Sequence, residues 1–342
     1  MRIGSGVGKT RVLLHFGDST TSYGVTPERA ADILNRSLET RCEFVQSSPQ
    51  ESEARLKGLL AECDVVVGTS VTLDRPICDL FRFAPRLRLV QCLGAGIENI
   101  PLDSIKALGI TLTDASGANS VPVAEHAFAF LLAVAKRVVE KDREMKKGVW
   151  KRTPAVEVQG QTHMILGLGA IGTELARRSL AFGMKVIGLR RHPDRGTTVQ
   201  GCEVYGIGDL HRLLPQADFI TVTLPLTPET RGLIGNEEFA LMKSEASIVI
   251  VSRAAIVDEE ALHGALVKGQ ISHAAVDTWY SFPPSAPSRY SIEKLENVIA
   301  TPHIAGITAE TVDRVFSIVR QNIDALAAGR EFLNVVDLSL GY

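Results

Sequence analysis

Short apolar segments rich in β-branched residues alternate with segments of helical periodicity along most of the chain. In the first third of the chain the apolar segments are RVLLHF, CEFVQS, CDVVVGTS, LRLVQCLG and ITLTDAS. Uninterrupted runs such as DVVVG suit strands buried on both faces, because a strand with one exposed face shows alternating polarity. The alternation therefore predicts βα units that form a parallel sheet.

A second series of apolar segments follows a long helical pattern at about residues 123–146, which is apolar early and charged late. These segments are HMILGLG, KVIGLR, CEVYGI, DFITVTLP, SIVIVSR, HAAVDTW and NVIATPH. One more helix is predicted at about residues 308–328. The fold class is therefore α/β, with two doubly wound parallel-sheet domains. The last helix could return to the first domain, which would make the second domain an insertion.

The composition is that of a globular chain, with 342 residues, 45% hydrophobic and 22% charged content. This length suffices for two domains that each have a core. The net charge of −2 gives no general attraction to nucleic acid or an anionic membrane, so we expect neither as a partner. No apolar run reaches the roughly 18 residues of a membrane span, and the N-terminus has no signal-peptide core. The five scattered cysteines predict reduced thiols in a cytoplasmic protein and no metal site.

The segment GSGVGKT near the N-terminus resembles part of a phosphate-binding P-loop. That motif requires a glycine five positions before Gly8, where this chain has Ile3. The loop should also follow a strand and open a helix, whereas the strand-like run TRVLLHF comes next. We therefore expect a flexible leader and not an ATPase site.

The sequence GLGAIG follows the predicted strand HMIL and precedes a predicted helix, the context in which this glycine spacing binds a dinucleotide. Gly167 permits a tight turn, Gly169 lets the backbone approach a pyrophosphate, and Gly172 lets the helix pack closely. The helix N-terminus supplies N–H groups and partial positive charge for the phosphates. The alternative is a glycine-rich turn with a structural role only.

Two arginines, Arg190 and Arg191, follow the second strand of this unit, where an NAD site normally has Asp or Glu. That acid accepts hydrogen bonds from the ribose hydroxyls and repels a 2′-phosphate, whereas a guanidinium binds a phosphate in a bidentate fork. Arg190 and Arg191, together with Arg195, therefore favour NADP(H) over NAD(H). The alternative is a solvated basic turn without selectivity, so NAD(H) stays open.

Three polar residues, Arg253, Asp277 and His303, follow predicted strands late in the second series. Strand C-termini form the ligand crevice of an open α/β sheet. An arginine there can bind a carboxylate, and a histidine can transfer a proton near neutral pH. The alternatives are a surface ion pair for Arg253, a helix or turn cap for Asp277, and a hydrogen-bonded core residue for His303.

Several stretches together resemble the D-isomer-specific 2-hydroxyacid dehydrogenase family over nearly the whole chain. The matching stretches are QCLGAGIENI, GANSVPVAEH, GLGAIG, TVTLPLTPETRGLIG, VSRAAIVDEEAL, AAVDTW and NVIATPHIAG. The resemblance implies a flavodoxin-like substrate domain of residues 1–118 and 309–342, into which a Rossmann cofactor domain of residues 119–308 is inserted. It also implies a homodimer joined mainly through the cofactor domains.

The resemblance also implies roles for individual residues. Arg253 would hold the substrate carboxylate and polarise its carbonyl, His303 would donate a proton, and Asp277 would bind the nicotinamide carboxamide. The other implied substrate contacts are the backbone N–H groups of Leu93, Gly94, Ala95 and Gly96, and Asn119. The other implied cofactor contacts, beside the glycines and arginines above, are Ala170, Ile171, Leu224, Pro225, Thr230, Ser252 and His303.

One part of the family pattern is missing. The family usually has a glutamate a few residues after the aspartate, where it pairs with the histidine, and in this chain Phe282 is in that register. Without a carboxylate partner His303 should hold its proton less readily. Tyr280, an acid from elsewhere or a shifted loop are the alternatives. Formate dehydrogenases of the same superfamily have glutamine there, and their NSxSVAEH and DVWF stretches resemble NSVPVAEH and DTWY.

The remaining polar and aromatic residues have structural interpretations. We expect His126, beside Glu125, to anchor the long helix near the site loops, Asn119 to cap that helix, and Trp279 to pack. No metal-ligand spacing is present at the other histidines, which are His15, His163, His192, His211, His263 and His273.

Two functions of different classes are consistent with these features. The first is an NADPH-preferring reductase of small 2-oxo acids such as glyoxylate or hydroxypyruvate, for which Arg253 and His303 argue. The second is a redox-sensing protein that binds the cofactor with weak or no turnover, for which Phe282 argues.

Overall fold

The computed structural model describes residues 9–17, 24–195, 199–281 and 287–339. The chain divides into two compact units. The first combines Met1–Ala118 with Ile307–Tyr342, and the second is Asn119–Gly306.

The strands and helices follow one another along the chain in an alternating order. The strands are β1 Thr10–His15, β2 Cys42–Ser47, β3 Val65–Gly68, β4 Leu89–Cys92, β5 Thr111–Thr113, β6 Thr162–Leu166, β7 Lys185–Arg190, β8 Cys202–Gly206, β9 Phe219–Val222, β10 Ser247–Ile250, β11 His273–Val276 and β12 Val298–Ala300. The helices are α1 Pro27–Ser37, α2 Glu53–Leu60, α3 Arg75–Leu80, α4 Leu102–Ala107, α5 Ser120–Ala135, α6 Val138–Lys146, α7 Ala170–Ala181, α8 Leu210–Leu213, α9 Asn236–Leu241, α10 Glu259–Val267 and α11 Ala309–Ala328.

The first unit contains a parallel sheet in the order β2-β1-β3-β4-β5, the order of flavodoxin-like folds. All five predicted segments form strands, and β3 and β4 are buried throughout, as their uninterrupted apolar runs predict. Helix α11 belongs to this unit, because Val315, Val319 and Ile323 on one of its faces are buried in the core. The Thr308 hydroxyl caps α11 by accepting a hydrogen bond from the Thr311 N–H at 3.1 Å.

The second unit contains a parallel sheet in the order β12-β11-β10-β9-β6-β7-β8. All seven predicted segments form strands. Counted from β6, the order is the 3-2-1-4-5-6 arrangement of a Rossmann fold with a seventh strand added at one edge. The strand order reverses between β6 and β9, so the loops after these two strands flank the position where such sheets bind ligands. The α/β prediction is confirmed.

The long helix predicted at residues 123–146 is wrong in one respect, because the structure has two helices there, α5 and α6. Arg137 between them adopts a left-handed backbone with φ of 54°, which interrupts the helical hydrogen bonds. Most of α5 is buried, whereas α6 buries no residue. The chain can therefore turn where the apolar pattern ends, and the ion pair of Arg137 with Glu140 at 2.6 Å holds the first turn of α6.

The glycine-rich segment near the N-terminus does not have the context of a P-loop. Its residues before Lys9 lie outside the described residues, and Thr10 opens strand β1, not a helix. Among the described helices, none combines the length and the apolar composition that crossing a bilayer requires.

Candidate active site in the second unit

The GLGAIG loop connects β6 to α7 and is shaped by close backbone contacts. Gly167 has φ of +110°, and a Cβ there would lie 2.8 Å from the Leu224 nitrogen and the Thr223 carbonyl carbon. A Cβ on Gly172 would overlap the Gly167 oxygen. Gly169, which caps α7, has open space where its Cβ would be. The first and third glycines therefore bring the loop and helix together, and the second leaves the helix N-terminus accessible to an anion.

The loop after β9 contacts the glycine loop across the reversal of strand order. The Thr223 hydroxyl donates to the Gly167 carbonyl at 2.7 Å. The Thr230 hydroxyl donates to the Pro225 carbonyl at 2.7 Å and accepts from the Thr227 N–H at 2.8 Å, so it fixes the turn itself. Leu224 is buried in the core and Pro225 is exposed. Ala170 and Ile171 form the first turn of α7.

Two arginines and an acid meet at the C-terminal end of β7. Arg190 is the last residue of that strand, and the next residue, Arg191, lies 3.7 Å from the Glu229 carboxylate. Glu229 comes from the loop after β9, far away in sequence, so the pattern around β7 gave no sign of it. Arg195 ends a short 3₁₀ turn at Pro193–Arg195. The region beside the predicted ribose site is thus basic, with one acid close to Arg191.

Arg253, Asp277 and His303 follow β10, β11 and β12, which are adjacent parallel strands. Their positions therefore share one edge of the sheet, the same edge at which the glycine loop follows β6. With neighbouring strands about 4.8 Å apart, the strands that precede Arg253 and His303 are separated by about 10 Å, and β11 lies between them. Arg253 is half-buried, and its guanidinium donates to the Ser252 carbonyl at 2.8 Å.

Asp277 is fully buried, and its carboxylate binds the loop after β12. One oxygen accepts from the Thr301 hydroxyl at 2.5 Å and the Ile304 N–H at 2.9 Å, and the other accepts from the Ala305 N–H at 3.0 Å. This is the turn-capping role considered as the alternative for Asp277. A carboxylate has about four acceptor positions, so the contact with a nicotinamide carboxamide stays a prediction.

His303 lies within this loop and has an exposed side chain. Its backbone is left-handed, with φ of 56°, and its N–H donates to the Thr301 carbonyl at 3.0 Å. The residue in register with the family glutamate, Phe282, lies outside the described residues. The Tyr280 hydroxyl donates to the Val257 carbonyl at 3.0 Å, and burial raises the pKa of Tyr280. The Tyr280 proton is therefore used by the Val257 carbonyl, and the pairing of Tyr280 with His303 stays a prediction.

Two hydroxyls at this edge of the sheet are orphaned. Five buried side-chain atoms in the described part of the chain have no hydrogen-bond partner, and two of them are the hydroxyl oxygens of Ser252 after β10 and Thr278 after β11. Buried hydroxyls are almost always paired, so orphans at a ligand-binding edge indicate a polar ligand. Together with the open space at Gly169, they show that these residues fit a dinucleotide.

His126 and Trp279, for which the sequence predicted structural roles, both contact Thr301 in the loop of His303. The His126 imidazole lies 3.1 Å from the Thr301 hydroxyl and 3.8 Å from the Asp277 carboxylate, and burial lowers the pKa of His126 more than Asp277 raises it. The Trp279 indole N–H donates to the Thr301 carbonyl at 2.9 Å. Glu125 accepts from Arg178 of α7 at 3.1 Å, so α5 is anchored on both sides.

The prediction that Asn119 caps α5 is confirmed for its position but wrong for its side-chain hydrogen bond. Asn119 does occupy the first position before α5, but its side chain makes no capping hydrogen bond. Its amide nitrogen lies beside Gly306, 3.1 Å from where a Cβ would be. Its contact with substrate stays a prediction.

The predicted carboxylate-binding segment Leu93–Gly96 follows β4 and belongs to the first unit. The Leu93 N–H is already used, because it donates to the Gly68 carbonyl at 2.8 Å, and the Leu93 side chain is buried. The expectation that all four N–H groups bind substrate therefore needs correction at Leu93. Its role is to anchor the segment, and Gly94, Ala95 and Gly96 remain as candidates.

The other described histidines make local contacts. His163 is buried between the Ser179 and Thr221 hydroxyls, each at 2.8 Å, and His15 contacts the Ser47 hydroxyl at 2.8 Å. His211 lies beside Glu237 and Glu238, a grouping that sequence spacing did not indicate. His211 and Glu237 are exposed, and the partly buried Glu238 accepts hydrogen bonds from His211 and the Gly235 N–H. Nothing else there indicates a metal ion.

Comparison with known proteins agrees with this arrangement. The family model described as "D-isomer specific 2-hydroxyacid dehydrogenase, NAD binding domain" matches residues 128–305. The glyoxylate reductase of Aeropyrum pernix is 38% identical over 77% of this chain and 80% of that protein. The D-3-phosphoglycerate dehydrogenase of Methanocaldococcus jannaschii is 35% identical over 82% of this chain, which spans only about half, 52%, of that relative.

A solved structure extends the likeness to the whole fold. The NADPH-dependent glyoxylate/hydroxypyruvate reductase of Sinorhizobium meliloti, in complex with NADP and sulfate, superposes with a TM-score of 0.80 at 25% identity and covers 98% of this chain and 100% of that one. The relatives bear the names of reductases and dehydrogenases, and the matched model covers more than half of the chain. The chain therefore belongs to the D-isomer specific 2-hydroxyacid dehydrogenase family, a family of oxidoreductases.

Proposed function

We propose that the protein is an NADPH-preferring reductase of a small 2-oxo acid of the glyoxylate or hydroxypyruvate type. The observation that carries this proposal is the placement of Arg253 and His303 after alternate strands at the sheet edge that also holds the glycine loop. A cation that can bind a carboxylate and a proton donor therefore lie at the same edge of the sheet, after strands about 10 Å apart. Relatives named glyoxylate reductase and hydroxypyruvate reductase support the substrate class.

Each residue has a distinct role in the proposed reaction. The bound nicotinamide supplies the hydride that adds to the substrate's carbonyl carbon. Arg253 binds the substrate carboxylate in a bidentate fork, which orients the carbonyl. His303 donates a proton to the carbonyl oxygen as negative charge develops there, so the product is the 2-hydroxy acid. Backbone N–H groups of Gly94, Ala95 and Gly96 also bind the carboxylate in this proposal. Asn119 contacts the substrate.

Turnover assays with matched variants test this assignment. We expect NADPH oxidation with glyoxylate or hydroxypyruvate, and a loss of at least about 100-fold in kcat/KM in Arg253→Ala and His303→Ala. Arg55→Ala and His211→Ala remove exposed side chains of the same types away from the site and should leave activity unchanged. Equal activity of His303→Ala and wild type would contradict the proton-donor role.

The same assay separates the two other candidate functions. A redox-sensing protein would bind NADPH tightly yet reduce none of a panel of 2-oxo acids, with Phe282 in the position of the family glutamate. A formate-dehydrogenase-like enzyme would instead reduce NAD(P)⁺ when formate is added. The presence of both Arg253 and His303 argues against the redox sensor. Phe282 argues against the formate enzyme, because it cannot make the hydrogen bond of the glutamine that formate dehydrogenases have there.

The preference for NADPH rests on Arg190 and Arg191 at the end of β7. Two guanidinium groups there favour a 2′-phosphate, while Glu229 near Arg191 opposes it in part. The NADPH-dependent reductase of Sinorhizobium meliloti, which is 25% identical and in complex with NADP, also supports this preference. In Arg190→Asp we expect the KM for NADPH to rise about 10- to 100-fold more than the KM for NADH, because a charge-assisted contact is worth about 1.5–3 kcal/mol. An unchanged ratio of the two KM values would remove Arg190 from the site.

The remaining proposals concern the domains and the assembly. The second unit acts as the cofactor domain and the first as the substrate domain, in a homodimer that forms through the second unit. The surface of α6 and the segment after it supports this, because its exposed apolar side chains include Val138, Met145, Val149 and Val156, and Trp150 is 80% exposed. Trp150→Glu should convert a dimer to a monomer in size-exclusion chromatography with light scattering. The five free thiols are consistent with a cytoplasmic location.

A further inference from the structure

The loop that carries His303 is bound to Asp277 on both sides of the histidine. Thr301, two residues before it, and Ile304 and Ala305, just after it, all donate to the one buried carboxylate. The left-handed backbone of His303 is unfavourable for a residue with a Cβ and persists only where its surroundings determine it. The three hydrogen bonds to Asp277 hold the loop in this conformation.

The direction of the hydrogen bonds between His126, Thr301 and Asp277 follows from which of these groups can donate a proton. A carboxylate accepts only, so the single hydroxyl proton of Thr301 points to Asp277. The Thr301 oxygen then accepts from the His126 Nε2–H at 3.1 Å. The direction is therefore His126 to Thr301 to Asp277, and it requires the His126 proton on Nε2.

Helix α5 supports the same loop with one face. Asn119, Val123 and His126 are spaced by four and three residues, so they share a face of the helix. Asn119 and Val123 lie against Gly306, where a Cβ would be 3.1 Å from the Asn119 amide nitrogen and 3.6 Å from a Val123 methyl group. His126 contacts Thr301 at the other end of the loop. The loop is thus held at both ends by α5 and in the middle by Asp277.

We propose that His126 and Thr301 are positioning residues, which act through Asp277 to fix the proton donor His303. The inference rests on the proposed function, because it assigns these residues a purpose in the proton transfer by His303. Proton transfer depends steeply on geometry, and a shift of about 1 Å can reduce the rate by about 100-fold. The hydrogen bonds to Asp277 fix the backbone on both sides of His303, and so they fix the position from which its imidazole extends.

A threonine series tests this role. Thr301→Val keeps the shape of the side chain and removes the hydroxyl, whereas Thr301→Ser keeps the hydroxyl. We expect kcat for the 2-oxo acid to fall about 10- to 100-fold in Thr301→Val, with less than about a threefold change in the dissociation constant of NADPH, and Thr301→Ser to restore kcat to within about threefold. His126→Phe should resemble Thr301→Val. Thr153→Val, at a threonine whose hydroxyl contacts Lys141, is the matched control and should leave kcat unchanged.

Hydrogen exchange gives a readout that does not depend on turnover. The Ile304 and Ala305 amides should be protected in the wild type and in Thr301→Ser, and exchange at least about 10-fold faster in Thr301→Val. Loss of protection with wild-type kcat, or unchanged protection in Thr301→Val, overturns the inference. If the wild type reduces no 2-oxo acid while protection depends on the Thr301 hydroxyl, the proposed function fails and the clamp stands.

Discussion

The contact between Gly188 and Leu168 links the stability of the second unit to its glycine loop. Leu168 is the second residue of GLGAIG, and its side chain is only 5% exposed. A Cβ on Gly188 in β7 would overlap the Leu168 Cδ1 atom and lie 2.9 Å from its Cγ atom. Rotation about χ2 could move Cδ1 but not Cγ, so in Gly188→Ala the Leu168 side chain must shift, and we expect it to lose buried packing.

The cost follows from the burial of Leu168. Exposing a buried leucine side chain costs about 1.5–3 kcal/mol, while alanine in a strand gains about 0.5–1 kcal/mol over glycine. We therefore expect Gly188→Ala to destabilise the second unit by about 1–2 kcal/mol. Leu168→Ala alone should cost about 2–4 kcal/mol. In the double variant the overlap is gone, so it should be no less stable than Leu168→Ala. Its loss of stability should therefore be about 2 kcal/mol smaller than the sum of the two single losses.

Thermal or urea unfolding of the four proteins measures this coupling. For a domain of this size 1 kcal/mol corresponds to about 2–4 °C in Tm. Gly58→Ala is the matched control, because no atom lies within 4 Å of a Cβ there and alanine is favoured in a helix, so its Tm should stay equal or rise. NADPH binding should weaken in Gly188→Ala together with stability. Additive losses in the double variant would refute the packing argument.

Two further predictions concern titratable groups. Burial lowers the pKa of His163 to about 3, below its value of 6.5 in the unfolded chain, so its contribution to stability is complete above pH 6.5 and is lost as the pH falls toward 3. Between pH 7.5 and pH 5 this loss is about 2 kcal/mol. The free energy of unfolding of His163→Gln should therefore change less between these two pH values, by that amount. An equal change in the variant and the wild type would show that His163 is protonated in the folded state. Burial also raises the pKa of Cys78 to about 12 and of Cys42, Cys63 and Cys202 to about 11, so these thiols should react slowly with a disulfide reagent in the native protein and rapidly in denaturant. Fast native labelling of the fully buried Cys63 and Cys78 would contradict this expectation.

Local patterns predicted the strands well because each strand is buried along its own length. The run Val65–Gly68 is apolar at every position and buried at every position. The glycine spacing of the loop after β6 could be interpreted equally well, since Gly167 and Gly172 each avoid a close contact and Gly169 leaves open space at the start of α7. The predicted long helix was wrong because periodicity does not reveal a single left-handed residue such as Arg137.

Parts of the site could not be predicted because their partners are distant in sequence. His126 and Thr301 are 175 positions apart, and Arg178 and Glu125 are 53 apart. Nothing in the immediate neighbourhood of either member indicates the other. The Leu93 N–H was assigned to substrate for the same reason, because the Gly68 carbonyl that uses it belongs to another strand.

By itself, the sequence determined the alternation of strands and helices, the two series of βα units, the glycine loop and the family, because these depend on burial and backbone freedom that a short segment expresses alone. Only the tertiary structure decided the order of the strands, the proximity of Glu229 to Arg191, and the three hydrogen bonds that make Asp277 the support of the His303 loop. Hydrogen bonds and ion pairs depend on which side chains meet in space, and a one-dimensional pattern specifies only which side chains are available to meet.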